Sequence, residues 1–268
     1  MLRLLFVLIL VVLFLILSLP VLGYLRYLEK REPQKRDHMA MGIIQWVFRV
    51  VLSASGVRLK IEGTENIPQD QAVLFVGNHR SYFDIVASYT AMKLPTGYVA
   101  KVEMEKIPLL AAWMREISCL FLNRKDVKEG LKTILAAIAQ VKNGKCVFIF
   151  PEGTRNQNAA PEDLMEFHEG SMKIAEKAGC PVVPVAIYGA DHVLEAHFPR
   201  IKASEVVVRF GTPFEIKKLP KEYQRRSGAY VRSELIHMLG EMRSENPQIH
   251  YPLPDAAANE MTAKEEKQ

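Results

Sequence analysis

The sequence predicts an α/β protein: a largely parallel or mixed sheet flanked by helices, preceded by an N-terminal membrane helix and an interfacial helix. Three observations carry that reading. From Val57 onward, short apolar runs of strand length alternate with helix-period segments, the pattern that puts helices on the faces of a sheet. Leu4 to Leu25 carries no charge, and at about 1.5 Å of rise per residue such a run reaches across the roughly 30 Å hydrocarbon core of a bilayer, with Pro20 and Gly23 near its end able to kink it or mark its exit. Between these lies MAMGIIQWVFRVVLSASGV (39–57), in which Gly42, Gln45, Arg49 and Ser53 fall at three- and four-residue spacing and form a narrow polar stripe.

The elements follow in order. Residues 1–37 read as a membrane anchor and basic linker. Arg3 stands on one flank of the apolar run, and Arg26, Lys30, Arg31, Lys35 and Arg36 stand on the other. This asymmetry predicts a cell-membrane protein with its body facing the cytoplasm. A cleaved signal peptide is the competing reading, but the run is long for one and no clear A-x-A site follows. Residues 38–56 read as an interfacial amphipathic helix. Ile43, Trp46, Val47, Val50 and Ala54 oppose the polar stripe, Trp46 suits headgroup level, and the charge of Arg49 argues against a second span. An ordinary helix turned to a core fits the same pattern.

The body, 57–251, begins with VRLKIEG (57–63), which alternates like a half-exposed strand. AVLFVG (72–77), GYVAK (97–101), CLFLN (119–123), CVFIF (146–150), VVPVAIY (182–188) and EVVVRFG (205–211) read as further strands. Helices are expected at 81–93, at 106–118 with Pro108 near the first turn, at 127–144, at 169–179 ending on Gly179, and at 222–245. In the third-named of these, 127–144, Leu131, Ile134, Leu135 and Ile138 share one face and Asn143-Gly144 supplies the stop. Pro184 calls for an edge or irregular strand position. Residues 252–268 are polar and rich in Ala, Glu and Lys, which predicts a disordered tail.

Composition excludes several classes. Net charge is +5 from 35 basic and 30 acidic residues spread along the chain, which suits anionic small molecules or an anionic bilayer face but forms no nucleic-acid patch. Cys119, Cys146 and Cys180 are odd in number, widely spaced and set in or beside apolar runs; they form no C-x-x-C, so reduced, buried thiols are expected in place of disulfides or a zinc site. There is no G-x-S-x-G, P-loop or G-x-G-x-x-G. His192 and His197 are five apart, not the four of a helical metal pair, and His168 has no evident partner; all three read as structural.

In sheets of this kind ligands sit beyond the carboxyl ends of strands. Here AVLFVG runs into Asn78-His79, CLFLN into Arg124, and CVFIF into Pro151-Glu152-Gly153-Thr154-Arg155. With His79 in the turn and Asp84 in the first helical turn, the carboxylate can reach back to one ring nitrogen and leave the other as a base. A helix-capping Asp84 is the plain alternative. Gly153 permits a sharp turn and close approach. Glu152, Gly153 and Thr154 can present N–H groups, and Arg155 offers a planar fork for phosphate. Arg124 is a second candidate cation and Lys101, at the end of GYVAK, a third; either can equally be a solvated strand-end residue. Ser81 is read as a turn residue.

Taken in order, NHRSYFD (78–84), FLNR (121–124), FPEGTR (150–155) and VPVAI (183–187) resemble the motifs of the glycerolipid acyltransferase family, nearest its bacterial 1-acyl-sn-glycerol-3-phosphate acyltransferases. AKVEMEKIPLL (100–110) is similar to that family's segment around a lysine. The resemblance covers about 57–215 and makes 57–251 an acyltransferase domain. It implies His79 and Asp84 as catalytic residues, and Lys101, Arg124, Glu152, Gly153, Thr154 and Arg155 as phosphate-binding positions. The implied reaction moves an acyl chain from acyl-CoA or acyl-carrier protein to lysophosphatidate, giving phosphatidate, with membrane lipids as surroundings. It needs no metal, no cofactor besides the donor and no acyl-enzyme. A sibling acyltransferase for glycerol 3-phosphate or another lysolipid, and a non-catalytic lipid-binding protein, are the alternatives; the second has no use for an intact His79–Asp84 pair.

Overall fold

The computed structural model describes residues 1–254, so the predicted tail lies outside the described residues from 255 onward. Three helices lead: α1 (Leu2–Leu17), α2 (Leu19–Glu29) and α3 (Pro33–Ser55). The body follows as β1 (Arg58–Glu62), β2 (Leu74–Gly77), α4 (Tyr82–Tyr89), β3 (Thr96–Lys101), α5 (Pro108–Glu116), β4 (Leu120–Leu122), α6 (Val127–Lys142) and β5 (Cys146–Ile149). It closes with α7 (Lys173–Ala178), β6 (Val182–Tyr188), β7 (Glu205–Phe210), α8 (Lys221–Gln224) and α9 (Ser227–Glu245).

The seven strands lie in the order β1-β7-β6-β2-β5-β3-β4. All neighbours are parallel except β6 and β7, so the sheet is mixed, as the alternation of strand and helix signals predicts. The central strands β2, β5 and β6 are buried at every residue, which explains why they read as unbroken apolar runs. Pro184 sits in central β6 but at an interruption of its pairing with β7: Gly211 donates to the Pro184 carbonyl, and the strands meet again only at the Val182–Phe214 bridge. Its missing N–H falls in that gap. The three thiols are buried, and burial pushes Cys119 up to about 12 and Cys146 and Cys180 up to about 11.

One expectation is corrected. The run from Leu4 to Leu25 is not one continuous helix but kinks near Pro20. It breaks at Ser18, where α1 and α2 meet at 50°, and among the described residues no single helix is long and apolar enough to cross a membrane; the bent pair passes that test only jointly. Pro20, in the first turn of α2, has no N–H for the preceding turn, so the helix restarts there. Trp113 of α5 then fixes the bend by donating its indole N–H to Ser18 Oγ at 2.8 Å. This part of the chain packs against the body. Leu22, Leu25 and Leu28 are buried, and Arg36 joins a buried ion-pair cluster, 2.7 Å from Asp37 and 2.7 Å from Glu116, with Lys145 also 2.7 Å from Asp37.

α3 begins earlier than expected, at Pro33, and stops at Gly56 in the left-handed region. Two members of its stripe cap the end of α4, Gln45 donating to the Tyr89 and Met92 carbonyls and Arg49 to that of Thr90, while Gly42, Arg49 and Ser53 are exposed. Trp46 is exposed beside Phe6 and Leu10 of α1. On α6 the predicted apolar face is divided, since Ile134 and Ile138 are half-buried against the core while Leu131 and Leu135 are exposed.

Candidate active site

The ends of β2 and β5 build the site. Asn78 continues the β2–β6 ladder with its side chain: Nδ2 donates to the Ile187 carbonyl at 2.9 Å and Oδ1 accepts from the Ile187 N–H at 2.8 Å. That leaves the His79 main chain to bond with the loop after β5. Its N–H donates to Glu152 Oε1 at 2.8 Å, and its carbonyl accepts from the Asn156 N–H at 2.7 Å. The imidazole stacks on Phe150, with centroids 4.2 Å apart and planes 16° from parallel.

Asp84 Oδ2 lies 2.9 Å from His79 Nδ1 and also accepts from the N–H groups of Arg80 and Ser81, each at 2.7 Å. Both readings of Asp84 therefore hold at once. It completes the capping box of α4 with Ser81, and the same oxygen orients the imidazole. An acceptor on Nδ1 keeps the proton there and leaves the lone pair on Nε2, the form a general base requires. Asp84 is buried and His79 retains 16% side-chain exposure, so the ring is held from behind and open in front.

The phosphate-binding candidates do not form one cluster. Lys101 ends β3 beside Leu122 of β4, and Arg124 follows two residues later. Gly153 adopts φ +76°, and a Cβ there would stand 3.2 Å from both Arg124 Nη1 and His168 Nε2, so only glycine lets these side chains close over the turn. Arg124, Gly153 and His168 border a cavity of about 440 Å³ whose other walls include Leu122, Ile134 and Phe150. Partial burial lowers the pKa of the Arg124 guanidinium, against the pull of Glu103.

Arg155 turns the other way. It pairs with Glu195 at 2.9 Å, lies 4.1 Å over the Tyr82 ring, and borders a separate cavity of about 750 Å³ with Arg80, Asp191 and Tyr251. Thr154 is exposed. Glu152 is a brace, not a surface ligand: its buried carboxylate joins the His79 N–H to the Met165 N–H, 3.1 Å away, and burial raises its pKa.

Sequence reasoning missed Asn78, Glu195 and the position of His168. The signal for Asn78 was present, a lone amide at the end of an apolar strand. Glu195 is 40 residues from Arg155 and gave none.

Ser81 Oγ, the hydroxyl nearest in sequence to the imidazole among the described residues, is committed to the Phe83 N–H and to Glu195. A carboxylate-held imidazole thus stands at the carboxyl end of a mixed α/β sheet, and its neighbours Arg80 and Phe150 border the two cation-bearing cavities. The Acyltransferase family model matches residues 58–188. Over those residues the chain carries this family's domain, and the protein is an O-acyltransferase.

Among its relatives is the 1-acyl-sn-glycerol-3-phosphate acyltransferase of Borreliella burgdorferi, 24% identical over 192 residues, covering 72% of this chain and 76% of that one. The probable 1-acyl-sn-glycerol-3-phosphate acyltransferase of Mycoplasma pneumoniae is 30% identical over 182 residues, covering 62% and 66%. The crystal structure of the 1-acyl-sn-glycerophosphate (LPA) acyltransferase PlsC of Thermotoga maritima has the same fold, with TM-score 0.72 and 24% identity over 90% of this chain and 95% of that one.

Proposed function

We propose that the enzyme acylates the free hydroxyl of 1-acyl-sn-glycerol 3-phosphate, giving phosphatidate for phospholipid synthesis, with acyl-CoA or acyl-carrier protein as donor. The observation that carries this reading is the His79–Asp84 contact at 2.9 Å, with Nε2 left as the basic nitrogen. His79 takes the hydroxyl proton as the alkoxide attacks the thioester carbonyl. The tetrahedral intermediate then expels the thiolate, which accepts the proton back from His79; a thiol, with pKa about 8.5, is a leaving group that needs little acid assistance. These steps call for neither a metal nor an acyl-enzyme. The acceptor's phosphate is assigned to Arg124 and Lys101, which approach from neighbouring strands, with Gly153 giving close access to the turn. The names of the relatives from Borreliella and Mycoplasma support the choice of acceptor.

The same reading assigns the enzyme to a membrane surface, its body on the cytoplasmic side. Leu5, Phe6, Ile9, Val12, Leu13 and Ile16 of α1 are exposed, forming an apolar surface without charge that suits acyl chains. The test is a purified-enzyme assay crossing acyl-CoA and acyl-carrier-protein donors with lysophosphatidate, glycerol 3-phosphate and lysophosphatidylcholine. Turnover with lysophosphatidate well above the others is expected. Preference for glycerol 3-phosphate would transfer the assignment to the sibling reaction.

A further inference from the structure

The Glu195 carboxylate, from the loop between β6 and β7, accepts from Ser81 Oγ at 2.6 Å, from the Tyr82 N–H at 2.9 Å and from Arg155 Nη1 at 2.9 Å. A guanidinium, a hydroxyl and a main-chain N–H converging on one oxyanion is the donor set a phosphate ester takes, and all three donors lie within or directly against the 79–84 turn that carries the base. Arg155 is held in place from its other side by the Tyr82 ring, so the donors are organised by more than Glu195 itself. Glu195 comes from the rim of the 750 Å³ cavity and is partly exposed, so its departure opens the donors to that cavity without unpacking the core.

We infer that Glu195 is an intramolecular stand-in for a substrate phosphate: it fills an anion subsite made of Arg155, Ser81 and the Tyr82 N–H, and yields it when a phosphate ester enters from the larger cavity. The inference rests on the acyl-transfer reading, in which both substrates carry phosphate esters. The acceptor offers its glycerol phosphate and the donor its phosphopantetheine phosphate. In the resting enzyme Glu195 satisfies Arg155 and raises the concentration of phosphate ester needed for occupancy. Glu195 would then help set substrate affinity, in contrast to a residue that only braces the loop.

The two roles predict opposite signs. In Glu195→Gln the competing charge is gone, while the amide oxygen can still accept a hydrogen bond. Inorganic phosphate binding to the full-length protein, measured by calorimetry, should tighten roughly three- to tenfold, the scale of a partly exposed ion pair. The KM of one substrate should fall with it, and whether acceptor or donor responds identifies the phosphate's source. Glu195→Asp, one methylene too short to reach all three donors, should move in the same direction and covers the case in which the glutamine variant does not fold. Weaker or unchanged phosphate binding in the folded variants, or a raised KM, makes Glu195 a brace and overturns the proposal. The phosphate arm requires no turnover, so absence of activity on lysophosphatidate would count against the acyl-transfer reading without deciding this one.

Discussion

At the scale of single residues, Asp84 makes charge and structure separable. Its Oδ2 carries all three hydrogen bonds, whereas its buried Oδ1 has none. An asparagine can keep its oxygen in the occupied position and turn its amide toward the empty one. Asp84→Asn should therefore stay folded and lose most activity, because the charge that stabilises the imidazolium is gone. Asp84→Ala should lose activity and also about 1 kcal/mol or more of stability with the cap. His79→Ala removes the base while its main-chain bonds to Glu152 and Asn156 persist, so turnover should fall by about 10²–10⁴-fold or more with little change in melting temperature. Steady-state rates and thermal melts on the same preparations check all three; near-normal turnover in folded His79→Ala would end the proposed mechanism.

At the scale of elements, Glu152 ties the end of β2 to the loop after β5 and to the 165 region. Burial raises its folded pKa above the usual 4.5, outweighing the main-chain donors that favour the carboxylate. The sign follows from linkage. Folding favours the protonated acid, so this residue's stabilising contribution is complete below the unfolded value and is lost as pH rises through the higher folded value. Glu152→Gln does not titrate there. The melting temperature of the wild type relative to Glu152→Gln should therefore decline from about pH 4 upward and level off above the raised value. A difference that grows with pH would mean that the hydrogen bonds to the charged form dominate over burial.

At the scale of the whole molecule, the first two helices both pack and expose. Leu22, Leu25 and Leu28 are buried and the Arg36 cluster joins α3 to Glu116 of α5, so deleting residues 1–37 would remove both the partner of Glu116 and the helices packed on α5, and would destabilise the body. Membrane attachment is better tested without truncation. Changing Leu5, Ile9 and Val12 together to Gln leaves those contacts in place and should release the protein from anionic vesicles in flotation; adding Trp46→Glu should weaken residual binding further, because Trp46 adjoins α1 on the surface. Flotation unchanged in the quadruple variant would remove both helices from the membrane account.

The sequence by itself determined the sheet, because strands buried on both faces must be written as unbroken apolar runs. It also determined the pairing of His79 with Asp84, because the two lie five residues apart across one turn and one helix start, where local geometry controls their meeting. Tertiary structure decided the remainder of the site. Arg155 and Arg124 both follow strand ends and read alike, yet one is drawn to a carboxylate 40 residues away and the other closes over Gly153 beside His168. Glu152 resembled a surface turn residue until the β2 and β5 ends enclosed it. Pro20 marked where the charge-free run could kink, but the contact at the bend comes from Trp113, 95 residues distant from Ser18. Periodicity and turn chemistry act over a few residues and are written where they act, whereas which distant groups neutralise a charge depends on how whole elements pack, and no local pattern records it.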